Sequence, residues 1–140
     1  MPDQYVSYNY FVLCEPKLSM AKPQSITFHM VNLTSYVTLG ICNVDKIAKN
    51  YEFNTGETSH GSYQISFDGY SWGDNNSTVN SQYTSWYYNQ NDKVTLEFNP
   101  KTKKLKFSKA QSPDQSYELN IEFEKKDKLY FCVTLNSTPE

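Results

Sequence analysis

Val94, Leu96 and Phe98 alternate with Lys93, Thr95 and Glu97. Leu105 and Phe107 alternate with Lys104 and Lys106. A period of two marks a strand with one buried face. The two runs flank Asn99-Pro100-Lys101-Thr102 and therefore predict a hairpin. Tyr117, Leu119, Ile121 and Phe123 repeat the pattern over Glu118, Asn120 and Glu122. From Ser25 to Val31, Ile26, Phe28 and Met30 share one face and His29 takes the other. Gly61 to Phe67 reads as a strand that turns at Asp68-Gly69 and returns through Tyr70-Ser71-Trp72. Tyr36 to Cys42 and Leu129 to Leu135 are apolar on both faces, which suits central strands.

The remaining pattern is weaker. Tyr5 to Leu13 alternates loosely and stops at Cys14-Glu15-Pro16, a strand followed by a loop. Val44 to Asn50 fits one helical turn with Asp45 as a weak cap. Lys17–Gln24, Gly73–Ser81 and Ser108–Gln115 read as loops, and Tyr83 to Tyr88 is aromatic without a clear period. This gives about eight or nine strands, no long helix, no repeat and no internal linker. The expected fold is all-β: a two-sheet antiparallel β-sandwich, one domain over residues 1–140.

Composition sharpens this. Aromatics make up 16% of the 140 residues and suit pleated, half-buried surfaces. All 13 basic residues are lysines, so no guanidinium fork is available to grip phosphate or carboxylate. The net charge of −2 gives no general pull toward nucleic acid or anionic membrane. No apolar run approaches the roughly 18 residues of a membrane span. Cys14, Cys42 and Cys132 are too few and too far apart for a disulfide framework or a zinc site, and read as buried free thiols in a reducing compartment. Met1-Pro2-Asp3-Gln4-Tyr5-Val6 lacks the basic and apolar regions of a signal peptide. The sequons at Asn32, Asn75, Asn76 and Asn136 are therefore discounted, and an intracellular location (cytoplasmic or nuclear, not secreted) is expected.

Candidate chemistry is sparse. There is no Gly-x-Ser-x-Gly elbow and there are two histidines, His29 and His60. His60 would need Glu57 or Asp68 to orient it as a base, and the plainer reading is an exposed loop histidine. Asp74-Asn75-Asn76 resembles half of a calcium loop without its terminal Glu, and reads more simply as a solvated turn. A carboxylate pair for glycoside hydrolysis stays open, although Glu97, Glu118 and Glu122 alternate toward solvent. Lys101, Lys103, Lys104, Lys106 and Lys109 crowd one hairpin, as a patch for an acidic partner or, more plainly, as lysines guarding a sheet edge. Core packing accounts for about half of the rings between Tyr83 and Tyr88. Any ring left exposed is a rigid anchor for a peptide or a sugar. Trp72 is expected to be structural, under the loop that follows it.

Five pieces in order resemble the SPRY domain family over residues 25–135, with residues 1–24 as an N-terminal strand and loop packed on that core. They are Val37-Thr38-Leu39-Gly40-Ile41, then Ile65 to Trp72 with its Gly69-Tyr70-Ser71-Trp72, then Asn91-Asp92-Lys93-Val94 to Asn99, then Leu105-Lys106-Phe107, and last Leu129-Tyr130-Phe131-Cys132-Val133. Two features depart from the family. The family's early Gly-x-His-Tyr-Trp-Glu strand is here Ser25-Ile26-Thr27-Phe28-His29, and its additional final strand is not found. Tyr5 to Leu13 fills that edge, or the edge is left open to a partner.

The resemblance implies a concanavalin-like sandwich and a non-catalytic module that binds a peptide or protein surface through edge loops, as a subunit or scaffold piece of a larger assembly. It implies no cofactor and no metal. Direct contact with nucleic acid or membrane is not expected. Carried over by position, it points to Tyr51 and Phe53 after the glycine strand and to Leu135, Asn136 and Ser137 at the end of the last strand. A lectin-like carbohydrate-binding module is the alternative, and a hydrolase built on paired carboxylates or His60 is a third reading.

Overall fold

The computed structural model describes residues 8–33, 36–47, 61–74 and 81–137. Among them are ten strands and one helical turn: β1 (Tyr8–Cys14), β2 (Gln24–His29), β3 (Val37–Asn43), α1 (Val44–Ile47), β4 (Ser62–Ser66), β5 (Tyr70–Gly73), β6 (Gln82–Tyr83), β7 (Lys93–Asn99), β8 (Lys104–Lys109), β9 (Ser112–Asn120) and β10 (Leu129–Ser137). They form a six-stranded sheet ordered β1-β10-β3-β4-β5-β6 and a four-stranded sheet ordered β2-β7-β8-β9. Every pairing is antiparallel. The chain is thus the expected all-β sandwich.

The alternating residues meet between the sheets. Leu39, Ile41, Ile65, Leu129 and Phe131 from the larger sheet pack with Val94, Leu96, Phe98, Leu105 and Phe107 from the smaller one. Burying such side chains contributes about 1.5–3 kcal/mol each. The outward face of the smaller sheet is polar. Register places Lys106 between Glu97 and Glu118, and Lys106 pairs with Glu97 at 3.8 Å while Lys104 pairs with Glu118 at 3.5 Å.

This corrects the reading of the lysines as edge guards. β7 and β8 are the central strands of their sheet, and Lys104 and Lys106 of β8 face cross-strand carboxylates instead, while Lys109 lies over the Tyr87 and Trp86 rings. The edge is β9, which begins at Ser112, inside a stretch expected to be loop. Pro113 is tolerated there because an edge strand has one side free of ladder bonds.

The larger sheet is buried on its second face as well. Thr38, Cys42, Ser62, Gln64, Ser66, Cys132 and Thr134 are all 0–1% exposed. Gln64 Oε1 accepts hydrogen bonds from Thr38 on β3 and from Thr134 on β10, the latter at 2.7 Å. Cys42, Cys132 and Ile47 form a small cluster there, with Phe11, Leu13 and Tyr130 against it. Burial raises the Cys132 thiol well above its usual pKa, so the thiolate is disfavoured and the sulfur is a packing group. Gly40 is needed for a simple reason: a Cβ there would stand 1.9 Å from the Tyr63 carbonyl oxygen on β4.

β1 takes the flank of β10 that the resemblance leaves in question, pairing over seven residues from Tyr8↔Ser137 to Cys14↔Phe131. The helical turn follows β3 as expected, but its cap differs. Asn43 Oδ1 accepts the Asp45 N–H at 3.2 Å, so Asn43 caps and Asp45 sits in the first turn.

Candidate interaction surface

Strand directions sort the connections into two groups at opposite ends of the sandwich. β3 ends at Asn43 beside Leu129, the start of β10, whereas Val37 lies beside Leu135. The six steps from Leu129 to Leu135 span about 20 Å. One end therefore gathers the close of β10, the β2–β3 connection, the turn at 67–69, the segment 84–92 and the turn at 110–111. The other gathers α1, Asp74, the β7–β8 turn and the segment 121–128.

The first end carries rings. Six large hydrophobic side chains are exposed among the described residues: Val12, Val31, Tyr70, Tyr83, Tyr87 and Leu135. All but Val12 lie at this end. Tyr70 and Tyr83 face each other across β5 and β6 with ring centroids 5.6 Å apart at 52°. Gly69, at φ +90°, lets the backbone pass beneath them; a Cβ there would meet the Trp86 carbonyl oxygen at 2.9 Å and the Tyr83 ring at 3.2 Å. The Lys109 ammonium lies 5.2 Å from the Tyr87 ring centroid and 5.9 Å from that of Trp86, within cation–π range.

The segment bearing these rings is tied down from below. Trp86 and Tyr88 are buried, while Tyr87 between them is 47% exposed. Trp86 Nε1 donates to the Gln115 carbonyl at 3.0 Å. Tyr88 donates its hydroxyl proton to the Ile65 carbonyl at 2.9 Å, and burial holds that phenol well above its usual pKa. Thr84 Oγ1 donates to the Gly69 carbonyl at 2.9 Å and accepts the Trp86 N–H at 3.1 Å. Asp92 closes the segment, accepting the Asn89 N–H at 2.7 Å and bonding the Gln111 side chain. Ser81, Ser85 and Asn91 all hold positive φ, a conformation that persists only where surrounding bonds enforce it. Half of the rings of the ambiguous aromatic run are thus core and half are surface, as expected from sequence.

The opposite end is charged. Lys46, Lys103, Glu122, Phe123, Glu124, Lys126 and Asp127 line an open cleft of about 700 Å³. Much of its charge is already engaged. Lys126 meets Glu124 at 3.2 Å, Asp127 accepts the Glu124 N–H at 2.8 Å, and Lys103 donates to the Phe123 carbonyl at 3.3 Å. Tyr63 donates to the Glu122 carbonyl at 3.2 Å and accepts its N–H at 3.1 Å. Burial pushes the Tyr63 pKa up to about 12, against the lowering effect of that backbone bond. Asp74, expected in a solvated turn, is buried. It pairs with Lys46 and accepts the Gly61 N–H at 2.6 Å, so its carboxylate organises the loop bases.

Leu135 is exposed at the aromatic end. Asn136 and Ser137 continue β10 there, with backbones opposite Asn9 and Tyr8 of β1. Tyr51, Phe53 and His60 lie outside the described residues. The flanks of their segment, Ile47 and Gly61, are at the charged end. The reading from sequence missed Tyr70, and the one signal for it was its place directly after the Asp68-Gly69 turn. Trp72 is buried beside Tyr36, with ring centroids 6.3 Å apart, in the structural role expected. His29 is exposed on the polar face of β2.

No family model matches the chain, and no curated protein matches it. Among solved structures it is similar to the SPRY domain of human HERC1, with a TM-score of 0.68 and 14% identity, over 94% of this chain and 77% of that one. A looser likeness is to the carbohydrate recognition domain of Emp46p in its potassium-bound form, at 0.45 and 10% identity over 91% and 70% of the two chains, too distant to bear on function. The fold is that of a SPRY domain.

Proposed function

We propose that this chain is a non-catalytic protein-interaction module that binds a peptide or protein surface with the loops of its aromatic end. The observation that carries this is the gathering of Val31, Tyr70, Tyr83, Tyr87 and Leu135 at one end of the sandwich. Exposed tyrosines on a segment fixed by buried neighbours lose little freedom on binding and bury much area, which is what interface anchors need. The likeness to a SPRY domain is consistent with this role. Leu135, Asn136 and Ser137 belong to the proposed surface, as do Tyr51 and Phe53, which lie outside the described residues. The proposed setting is intracellular, as a subunit or scaffold piece of a larger assembly, with Cys14, Cys42 and Cys132 as free thiols.

Affinity purification of the tagged chain from its native cell, with mass spectrometry, tests this. A stoichiometric protein partner that is lost with Tyr83→Ser plus Leu135→Asp supports the reading. A second reading, a carbohydrate-binding module, draws on the Tyr70–Tyr83 pair, since sugars stack on such rings. Glycan-array binding without any protein partner would favour it and overturn the first.

A further inference from the structure

The four sheet edges are protected to different degrees. β6 is two residues long. β9 contains Pro113, and the β8–β9 pairing shifts register at Ser108/Lys109. β2 starts after Pro23, with the Gln24 amide bonded back to the Ser19 and Lys22 carbonyls, and its outward residues are Ser25, Thr27 and His29. Short length, proline, irregular pairing and polar outward residues all discourage further strand addition.

β1 has none of these devices. Tyr8-Asn9-Tyr10-Phe11-Val12-Leu13-Cys14 contains no charge and no proline, and it pairs with β10 in unbroken register over all seven residues. Its apolar residues fall on both faces: Phe11 and Leu13 pack against the Cys42–Cys132 cluster, while Val12 on the other face is 47% exposed. Among the described residues, no strand lies on its second side. A long, uncharged, regularly paired edge of this kind is a template for another strand.

We infer that two copies of this chain pair through β1, antiparallel about a two-fold axis, joining their six-stranded sheets into one. A two-fold contact sets a strand against itself, which like charges would oppose, and β1 carries no charge at all. Full overlap of the seven residues places Phe11 opposite Phe11 and Tyr10 opposite Val12 of the second copy. The net charge of −2 per chain adds little repulsion. Val12 stands apart from Tyr70, Tyr83 and Tyr87, at the far edge of the sheet, while the start of β1 lies beside Leu135, Asn136 and Ser137 of the proposed partner surface.

Sedimentation equilibrium of the purified chain, with hydrogen exchange of β1 amides at low and high concentration, tests the inference. A concentration-dependent dimer is expected, with β1 amides gaining protection as it forms. Val12→Lys weakens it by roughly tenfold or more, because two like charges enter the same short ladder. Thr27→Lys, the same charge on the rival edge β2, leaves it unchanged. Mixing the Val12→Lys and Val12→Asp chains restores association, which a damaged strand could not do. A chain that stays monomeric to about 1 mM overturns the inference, as does a dimer indifferent to Val12→Lys or equally weakened by Thr27→Lys.

Discussion

At one end of the sandwich the exposed groups are Tyr70, Tyr83, Tyr87, Val31 and Leu135, and the segment that carries Tyr83 and Tyr87 is anchored by buried Trp86 and Tyr88. At the other, a cleft is lined by Lys46, Lys103, Glu122, Glu124, Lys126 and Asp127. Both ends hold loops, and both offer a concave or patterned surface. Their physics differs. The charges of the cleft are hydrated and partly paired with one another, so a partner would have to displace good solvation for a small return. The rings at the opposite end meet water over apolar area whose burial is favourable, and their geometry is set in advance. The charged cleft is therefore the poorer candidate, and the aromatic surface the better one.

The widest separation between the ends should come from Tyr88→Ala. The ring is fully buried and its hydroxyl ties the aromatic segment to β4, so about 3–5 kcal/mol of stability is expected to be lost in urea denaturation. Loss of under 1 kcal/mol would mean that the segment is not anchored as described. Asp74→Ala is the corresponding test of the charged end. It removes the carboxylate that holds the Gly61 N–H and Lys46, with an expected cost of about 2 kcal/mol.

A smaller effect is expected from alkali. The Tyr63 phenol titrates near 10 when unfolded and near 12 when folded, so the folded state holds its proton more tightly. Its contribution is complete below pH 10 and fades as pH rises toward 12, by on the order of 2 kcal/mol. Tyr63→Phe should flatten that decline in a pH series of unfolding curves. An unchanged slope would assign the alkaline loss elsewhere, Tyr36 being the next group, also raised to about 12 by burial. Least of all should Tyr83→Ser affect folding. Tyr83 is 60% exposed, so stability should shift by no more than about 0.5 kcal/mol while capture of the partner falls sharply. Loss of both together would move Tyr83 from the surface to the scaffold.

Much of the sandwich was readable from alternation. β7 and β8 show it most plainly, because each has one face in the core and one in water. β9 was seen only from Tyr117 onward. Its first residues, Ser112 to Ser116, are exposed on an edge, so burial imposes no alternation on them. The lysines of β8 were placed on an edge because strand order is a long-range property that local sequence does not carry. The same holds for Asp74, whose burial depends on Lys46, 28 residues away. The candidate surface was half legible: a run of rings announced itself, but which rings face out depends on Ser85 and Asn91 turning through positive φ, and neither residue type declares that alone.

The order β1-β10-β3 has a consequence for how the molecule is made. Among the described strands the last in sequence sits between the first and the third, so it is a wedge rather than an appendix. During synthesis β1 emerges long before the neighbour it needs, and β3 lacks one side of its ladder until residues 129–137 appear. The larger sheet closes only once residues 129–137 have been made, and β1 must wait for its β10 partner through that interval. A strand as apolar as Tyr8–Cys14 is then open to non-native pairing in the nascent chain.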